Sequence, residues 1–400
     1  MAELWLVEHA AQVRVGPPRF RGPIIALSAE AMNALDTAGL PYRTPEQYLP
    51  TPQHTALGLA LYDQVEAYTK AFDGWAHTWP ALRATGLAPA RLSFYPLIQL
   101  WSAIELRRAE LVAILEAERP SRVWASPTWP EPIDHTLTFQ RESAYRRVLE
   151  SLDVRLAWVP CTRPRPPAKR AWTWTRLHQG FRTLRRRIHE RRVTSSQTDR
   201  PSALLLHVTP DVAVVLRQPD PPYRWIRWAP PHVRVSIGPS PPDWPVPHPL
   251  YARRLAAFVR QSIPQMIRAA HQTDRVLARE RMDIVWSGMP PATPEFRAIA
   301  ARARIQGVPF VLMQHGGSYG YLDHPIHYWN DLALCDLWLA YGEGVIEGLR
   351  RQFGHRPLPQ MVAVGSSALG DRVRESTRQG DASPPWCPRS SSSDPSRRAP

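Results

Sequence analysis

Residues 308–320 read Val308-Pro309-Phe310-Val311-Leu312-Met313-Gln314-His315-Gly316-Gly317-Ser318-Tyr319-Gly320. A short apolar run of this kind, closed at once by a polar and glycine-rich turn, is the pattern of a strand buried on both faces of a parallel sheet. The same pattern recurs on either side. Asp283-Ile284-Val285-Trp286-Ser287-Gly288 precedes it, and Asp336-Leu337-Trp338-Leu339-Ala340-Tyr341-Gly342 and Met361-Val362-Ala363-Val364-Gly365-Ser366 follow. Helical intervals separate the runs. Thr293 to Ala303 carries Pro294 and Glu295 in its first turn and is closed by Gly307, and Val345 to Phe353 forms the next. Four such strands predict a parallel sheet whose ligand edge lies at the carboxyl ends of the strands.

Working back toward the amino terminus, Ala203 to Val208 restarts strand character after a break, and Val212–Leu216 and Val233–Ile237 are further candidate strands. A long helical stretch runs from about Ala252 to Arg281, with Pro264 expected to kink it. Near the start, Ile24 to Ser28 reads as a strand. Ala29 to Ala38 reads as a helix capped by Gly39, and Leu40-Pro41-Tyr42 as a return to extended chain, which together open a βαβ unit. Leu57, Leu61, Val65, Tyr68 and Phe72 mark an amphipathic helix. Leu97, Leu100, Trp101, Ile104, Leu111 and Leu115 mark a second, which Pro120 ends before a strand at Arg122 to Ser126.

Composition sets the frame. The 400 residues suffice for two cored domains, and the 44 prolines gather in the middle and at the end, as linkers do. The 16 tryptophans read mainly as core. Cys161, Cys335 and Cys387 are far apart and odd in number, which argues against a disulfide framework or a zinc site and for a reducing compartment. The chain shows no leader and no long apolar run, so a cytoplasmic protein is expected. The net charge is +15, but residues 163–200 alone hold twelve Lys and Arg against Glu190 and Asp199. That leaves the remainder near balance, and no specific nucleic-acid binding is expected. The predicted organisation is an α/β chain. Residues 1–158 form one lobe, 159–200 a basic Pro/Arg-rich linker, 201–378 a second lobe and 379–400 a disordered tail of Pro, Ser and Arg. Within the linker, Arg176 to Arg192 reads as a basic helix, either a solvated connector or a contact for an anionic membrane face.

The chemistry is expected at Gln314 to Tyr319. Backbone N–H groups of Gly316 and Gly317, with glycine free to take positive φ, suit a phosphate or a developing oxyanion. His315 can serve as acid or base, or as a cation on phosphate. Gln314 and Ser318 add neutral hydrogen-bonding groups. Gly342, Gly365 and Ser366 should lie along the same edge, with Asp371 orienting a ribose or an acceptor hydroxyl or else serving as a helix N-terminal acid. Asp323, His324, His327, Asp331 and Asp336 cluster just after the loop, but their spacing matches no metal motif, so no metal and no cofactor is expected. In the first half Ser28, Glu30, His54 and Ser126 stand at or near predicted strand ends or loops.

The segments PFVLMQHGGSYGY (309–321), DLWLAYG (336–342) and VAVGSSALGD (362–371) resemble the bacterial surface-carbohydrate transferases, relatives of capsule- and teichoic-acid-type glycosyl and glycerophosphate transferases. IIALSAEAMNALDTAGLPYRTPEQYL (24–49) and the long helix before ERPSRVWASP (118–127) are similar to their amino-terminal lobe. The resemblance covers most of 22–126 and 253–373. It implies a glycosyltransferase-B-like pair of Rossmann-like lobes facing each other across a cleft. The amino-terminal lobe would take a glycan or lipid-linked glycan acceptor, and the carboxyl-terminal lobe a nucleotide-activated donor. The family's loop falls on Gln314, His315, Gly316, Gly317 and Tyr319, and its later motif on Gly365, Ser366 and Asp371. The implied activity is transfer of a sugar or related group to a cell-surface polysaccharide precursor; the membrane reading of Arg176 to Arg192 would add a peripheral contact at the inner membrane face to the cytoplasmic placement. The elements that follow the "VGS" strand in such folds are replaced here by the Pro/Ser/Arg tail, so an incomplete second lobe and a truncated or frameshifted product are expected. The rival readings are a non-catalytic remnant or binding module, and an anionic-surface binder acting through residues 163–200.

Overall fold

In a computed structural model of the chain, residues 3–126, 144–159, 161, 200–218, 223–226, 228, 238, 243–322 and 324–378 are described. Most of the expected basic linker at 159–200, the strand at 233–237, Asp323 and the tail at 379–400 lie outside them. The chain is mixed α/β and holds two parallel sheets. The first has four strands in the order β2-β1-β3-β4: β1 (Glu3–Val7), β2 (Ile24–Ala26), β3 (Arg122–Ala125) and β4 (Leu156–Trp158). The second has six in the order β10-β9-β8-β7-β5-β6: β5 (Ser202–His207), β6 (Arg224–Ile226), β7 (Ile284–Ser287), β8 (Phe310–Met313), β9 (Leu337–Ala340) and β10 (Gln360–Ala363). Read from its β6 end, the second sheet repeats the order of the first, with the second-formed strand outermost and the first-formed beside the third. Each sheet therefore reverses direction once, between β1 and β3 and between β5 and β7. Such a reversal leaves a crevice at the carboxyl edge.

The four apolar runs around the His-Gly-Gly loop all become strands, in parallel register. All four residues of β8 are buried, as a central strand covered on both faces requires. β10 alternates between exposed and half-buried, because among the described residues it pairs only with β9. Gly39 and Gly307 close their helices with φ of +65° and +80°. Pro264, where a kink is expected, stands at the start of the second of two helices. The helices Pro249–Ala257 and Ile263–Leu277 are joined by a π-helical turn, Phe258–Ser262, which makes room for the proline ring.

Three expectations are corrected. Val212–Leu216 belongs to a helix, Pro210–Leu216, because Thr209, Pro210 and Asp211 form a helix start that outweighs the strand preference of the valines. Leu40-Pro41-Tyr42 is not a strand; only the bridge between Ile25 and Arg43 survives there. β1, at the very start of the described chain, is one of the two inner strands of the first sheet, where no strand is expected before Ile24.

The long helices Thr51–Ala76 and Phe94–Glu118 tie the halves together. Their apolar faces join the two sheets in one core that includes Leu6, Val65, Phe72, Trp101, Phe258, Leu312 and Trp338. The contacts are specific. Phe94 stacks on Trp329 with ring centroids 4.1 Å apart, and Trp101 lies 4.4 Å from Tyr251. The Tyr251 hydroxyl donates to Glu105 at 2.6 Å, and Arg302 donates to the Thr85 carbonyl at 2.7 Å. Fully burying one such aromatic or aliphatic side chain stabilises by about 1.5–3 kcal/mol. No helix among the described residues is long and apolar enough to cross a membrane.

Asp73, on the first of these helices, accepts the backbone N–H groups of Ala90 at 2.8 Å and Arg91 at 3.0 Å. Burial pushes its carboxyl up to about 6, against the pull of those two donors. Between about pH 4 and pH 6 the folded chain therefore keeps a proton that the unfolded chain releases. The Asp73 contribution to stability is present at low pH and lost as pH rises through that window. The expected size is about 2–3 kcal/mol. Urea unfolding at pH 4 and pH 7 should show the stability of wild type relative to Asp73→Asn falling by that amount. A difference independent of pH would contradict the assignment.

Candidate functional site

The carboxyl ends of β8, β9 and β10 lie side by side. Gln314, the first residue beyond β8, is 2 % exposed and ties this edge together. Its Oε1 accepts the Tyr341 N–H at 2.8 Å, while its Nε2 donates to the Gly316 carbonyl at 2.7 Å. One amide thus fixes the loop against the end of β9. Gly316 and Gly317 do not use positive φ, contrary to expectation; that conformation falls at Gly320, with φ +77°, and at Gly365, with φ +74°. A Cβ on Gly317 would meet nothing within 4 Å. Gly317 therefore leaves open space, whereas a Cβ on Gly316 would touch the Tyr319 ring at 3.7 Å, and Gly320 makes the turn.

His315 stands beside that space, and two buried groups hold its ring. Nε2 lies 3.2 Å from Asp331 Oδ1 and 2.6 Å from the Tyr319 hydroxyl, which itself donates to Asp331 Oδ2 at 3.1 Å. Asp331 is 1 % exposed and Tyr319 3 %. Because the phenol spends its proton on Asp331, its oxygen accepts, and both contacts ask Nε2 to carry hydrogen. Nδ1 is then the bare nitrogen, with no hydrogen bond among the described residues. A carboxylate that fixes the tautomer of an imidazole and leaves the other nitrogen free is the arrangement of a general base. Burial, reinforced by Asp331, raises the Tyr319 hydroxyl well above its usual range, so it acts as a neutral hydrogen-bonding group. His327 stacks on Tyr319 at 4.5 Å and meets the Ser318 hydroxyl at 3.2 Å through Nε2. Burial lowers its pKa and favours the neutral ring, and its Nδ1 is buried with no hydrogen-bond partner among the described residues.

A second knot lies next to it. Asp211, 4 % exposed, accepts from Ser366 Oγ and the Ala368 N–H, both at 2.8 Å, and from the Tyr341 hydroxyl at 3.1 Å. Burial, with Asp211 beside it, pushes the Tyr341 phenol up to about 12. Asp211 thereby starts the helix Ser367–Arg378 and links β10 to the Gln314 side of the edge. Gly342 takes the N-cap position of the helix Glu343–Phe353, in extended backbone. Asp371 lies in the helix Ser367–Arg378, and its side chain is outside the described residues.

The structure thus gathers Gln314, His315, Ser318 and Tyr319 at one point, with Gly342, Gly365 and Ser366 along the same edge. Asp331 stood out only as one member of an acidic and histidine cluster, not as the orienting carboxylate. Asp211 was missed, although Thr209-Pro210-Asp211 carries a helix-start signal. The crevice between β5 and β7 is filled differently. A Cβ on Gly288 would come within 2.5 Å of Thr209 Oγ1, so Thr209 occupies the space above it. At the first sheet's edge, Ser126 Oγ donates to the Glu8 carboxylate at 3.0 Å and Ser28 Oγ to the Glu8 carbonyl at 2.6 Å. Glu30 accepts the Ala10 N–H at 2.9 Å. His54 is elsewhere, 3.2 Å from Glu110. Among the described residues no group of three or more His, Cys, Asp or Glu is placed to hold a metal ion. Compared with protein-family models, curated proteins and solved structures, the chain finds no match in any of the three.

Proposed function

We propose that the chain is a transferase that moves a sugar or related group from a nucleotide-activated donor to a cell-surface polysaccharide precursor. The observation that carries this reading is the His315–Asp331–Tyr319 arrangement beside the open backbone at Gly317. The His315 base would take the proton of an attacking acceptor hydroxyl through Nδ1. The bare peptide groups at the tip of β8, with the helix N-terminus at Glu343 near the same edge, would receive the negative charge left on the departing diphosphate. The strand order common to both sheets supports a pair of Rossmann-like lobes of the glycosyltransferase-B kind, with the acceptor held by the first half. The reaction would run in the cytoplasm, against a lipid-linked or growing glycan at the inner membrane face.

Calorimetric titration of the full chain with UDP-, GDP- and CDP-linked donors tests the reading. Saturable one-to-one binding of at least one donor is expected, competed by the matching nucleoside diphosphate. If none of the three classes binds at millimolar concentration, the reading fails.

A further inference from the structure

A cavity of about 460 Å³ opens between residues 86–92 and the helix Pro294–Ile305. None of His315, Tyr319, Asp331 and Asp211 lines it, so it is separate from the proposed transfer site. Leu87, Phe310 and Trp329 supply apolar wall, and Arg91, Arg297, Arg304 and Asp336 supply charge. Arg304 and Asp336 satisfy each other. Nε and Nη2 of Arg304 reach Asp336 Oδ1 at 3.0 and 2.9 Å, and Oδ2 of Asp336 accepts the Phe310 N–H at 2.8 Å. Two positive charges are left over. Arg91 is exposed at the side, and Arg297 is only 7 % exposed.

Arg297 is the unusual group. Its Nε donates to the Pro291 carbonyl at 2.8 Å, and it makes no ion pair among the described residues. Burial pushes its pKa down to about 10, which still leaves it charged at neutral pH. A buried guanidinium without a counter-charge is costly, and the cost is relieved when an oxyanion accepts from its free nitrogens. Its planar fork suits a carboxylate or phosphoryl group, and the flanking aromatic walls suit an apolar body.

We propose that this cavity binds a small organic anion, whose carboxylate or phosphoryl group meets Arg297 and Arg91 while its apolar part lies against Phe310 and Trp329. The assignment does not depend on the transferase reading. It is tested by titrating the full chain in a calorimeter with benzoate, phenyl phosphate, inorganic phosphate and benzyl alcohol. One-to-one binding of benzoate or phenyl phosphate is expected, at least tenfold tighter than that of benzyl alcohol and of inorganic phosphate. The preferred member of the first pair identifies the head group as carboxylate or phosphoryl. Arg297→Gln should weaken that binding at least tenfold. Ala301→Phe, which fills the cavity from a half-buried wall position and leaves Arg297 in place, should do the same and serves if the first variant does not fold. Absence of saturable binding by either organic anion, or equal binding by wild type and a folded variant, overturns the proposal.

Discussion

Replacing His315 by Ala is expected to lower turnover by about 10²-fold, the range that a positioned general base contributes. The donor affinity should change little, because the imidazole acts on the acceptor proton and not on the nucleotide. Asp331→Asn should be nearly as damaging, for a reason that can be separated from folding. An amide in place of the carboxylate can donate to Nε2, which drives the ring proton to Nδ1 and turns the base into a donor toward the substrate. The 3.2 Å geometry would survive and the chemistry would not. Tyr319→Phe keeps the stack on His327 and removes only the hydroxyl, so it should cost less than either. Single-turnover rates, with donor binding measured in parallel, check the set. Full turnover in His315→Ala removes the ring from the mechanism and with it the role assigned to Asp331.

How much of this was legible in the sequence depends on the range of the interaction. β7, β8 and β9 announced themselves, because a central parallel strand needs an unbroken apolar run and a glycine-rich exit, both local properties, and β10 carries the same run although it lies at the edge. Gln314 to Tyr319 was likewise marked by its residue types. What could not be read was anything decided by a partner distant in sequence. Asp331 reaches His315 only because the short helix Ile326–Asn330 folds the chain back over the loop. Asp211 gains its meaning from Ser366 and Ala368, on the far side of three strands. The valines after Asp211 favour a strand taken alone, and packing against the helix Ser367–Arg378 helps to hold them helical. The glycine reading erred in a similar way. Which glycine needs positive φ is settled by what lies across from it, and across from Gly320 lies the helix Glu343–Phe353.

That contact yields the second large effect. Gly348→Ala is expected to destabilise the protein by about 1–3 kcal/mol and to lower turnover with it, although the same exchange in an open helix stabilises by up to about 1 kcal/mol. The reason is steric. A methyl on Gly348 would sit 2.5 Å from the Gly320 carbonyl oxygen and 2.7 Å from its Cα. Both are backbone atoms, so no side chain can rotate away. Gly320 cannot retreat easily either, since its φ of +77° belongs to the turn itself and its own missing Cβ would press on the Val345 carbonyl. The strain must therefore pass along the loop to Tyr319 and His315, and a displacement of about 1 Å at reacting groups can cost 10²-fold in rate. Gly344→Ala supplies the control for stability, because a Cβ there meets nothing within 4 Å of the same helix's surroundings. Urea unfolding of both variants, with turnover measured beside it, separates the outcomes. If Gly348→Ala matches wild type in stability and rate, the helix does not brace the loop, and the rigidity that places His315 beside the open Gly317 has to come from Gln314 alone.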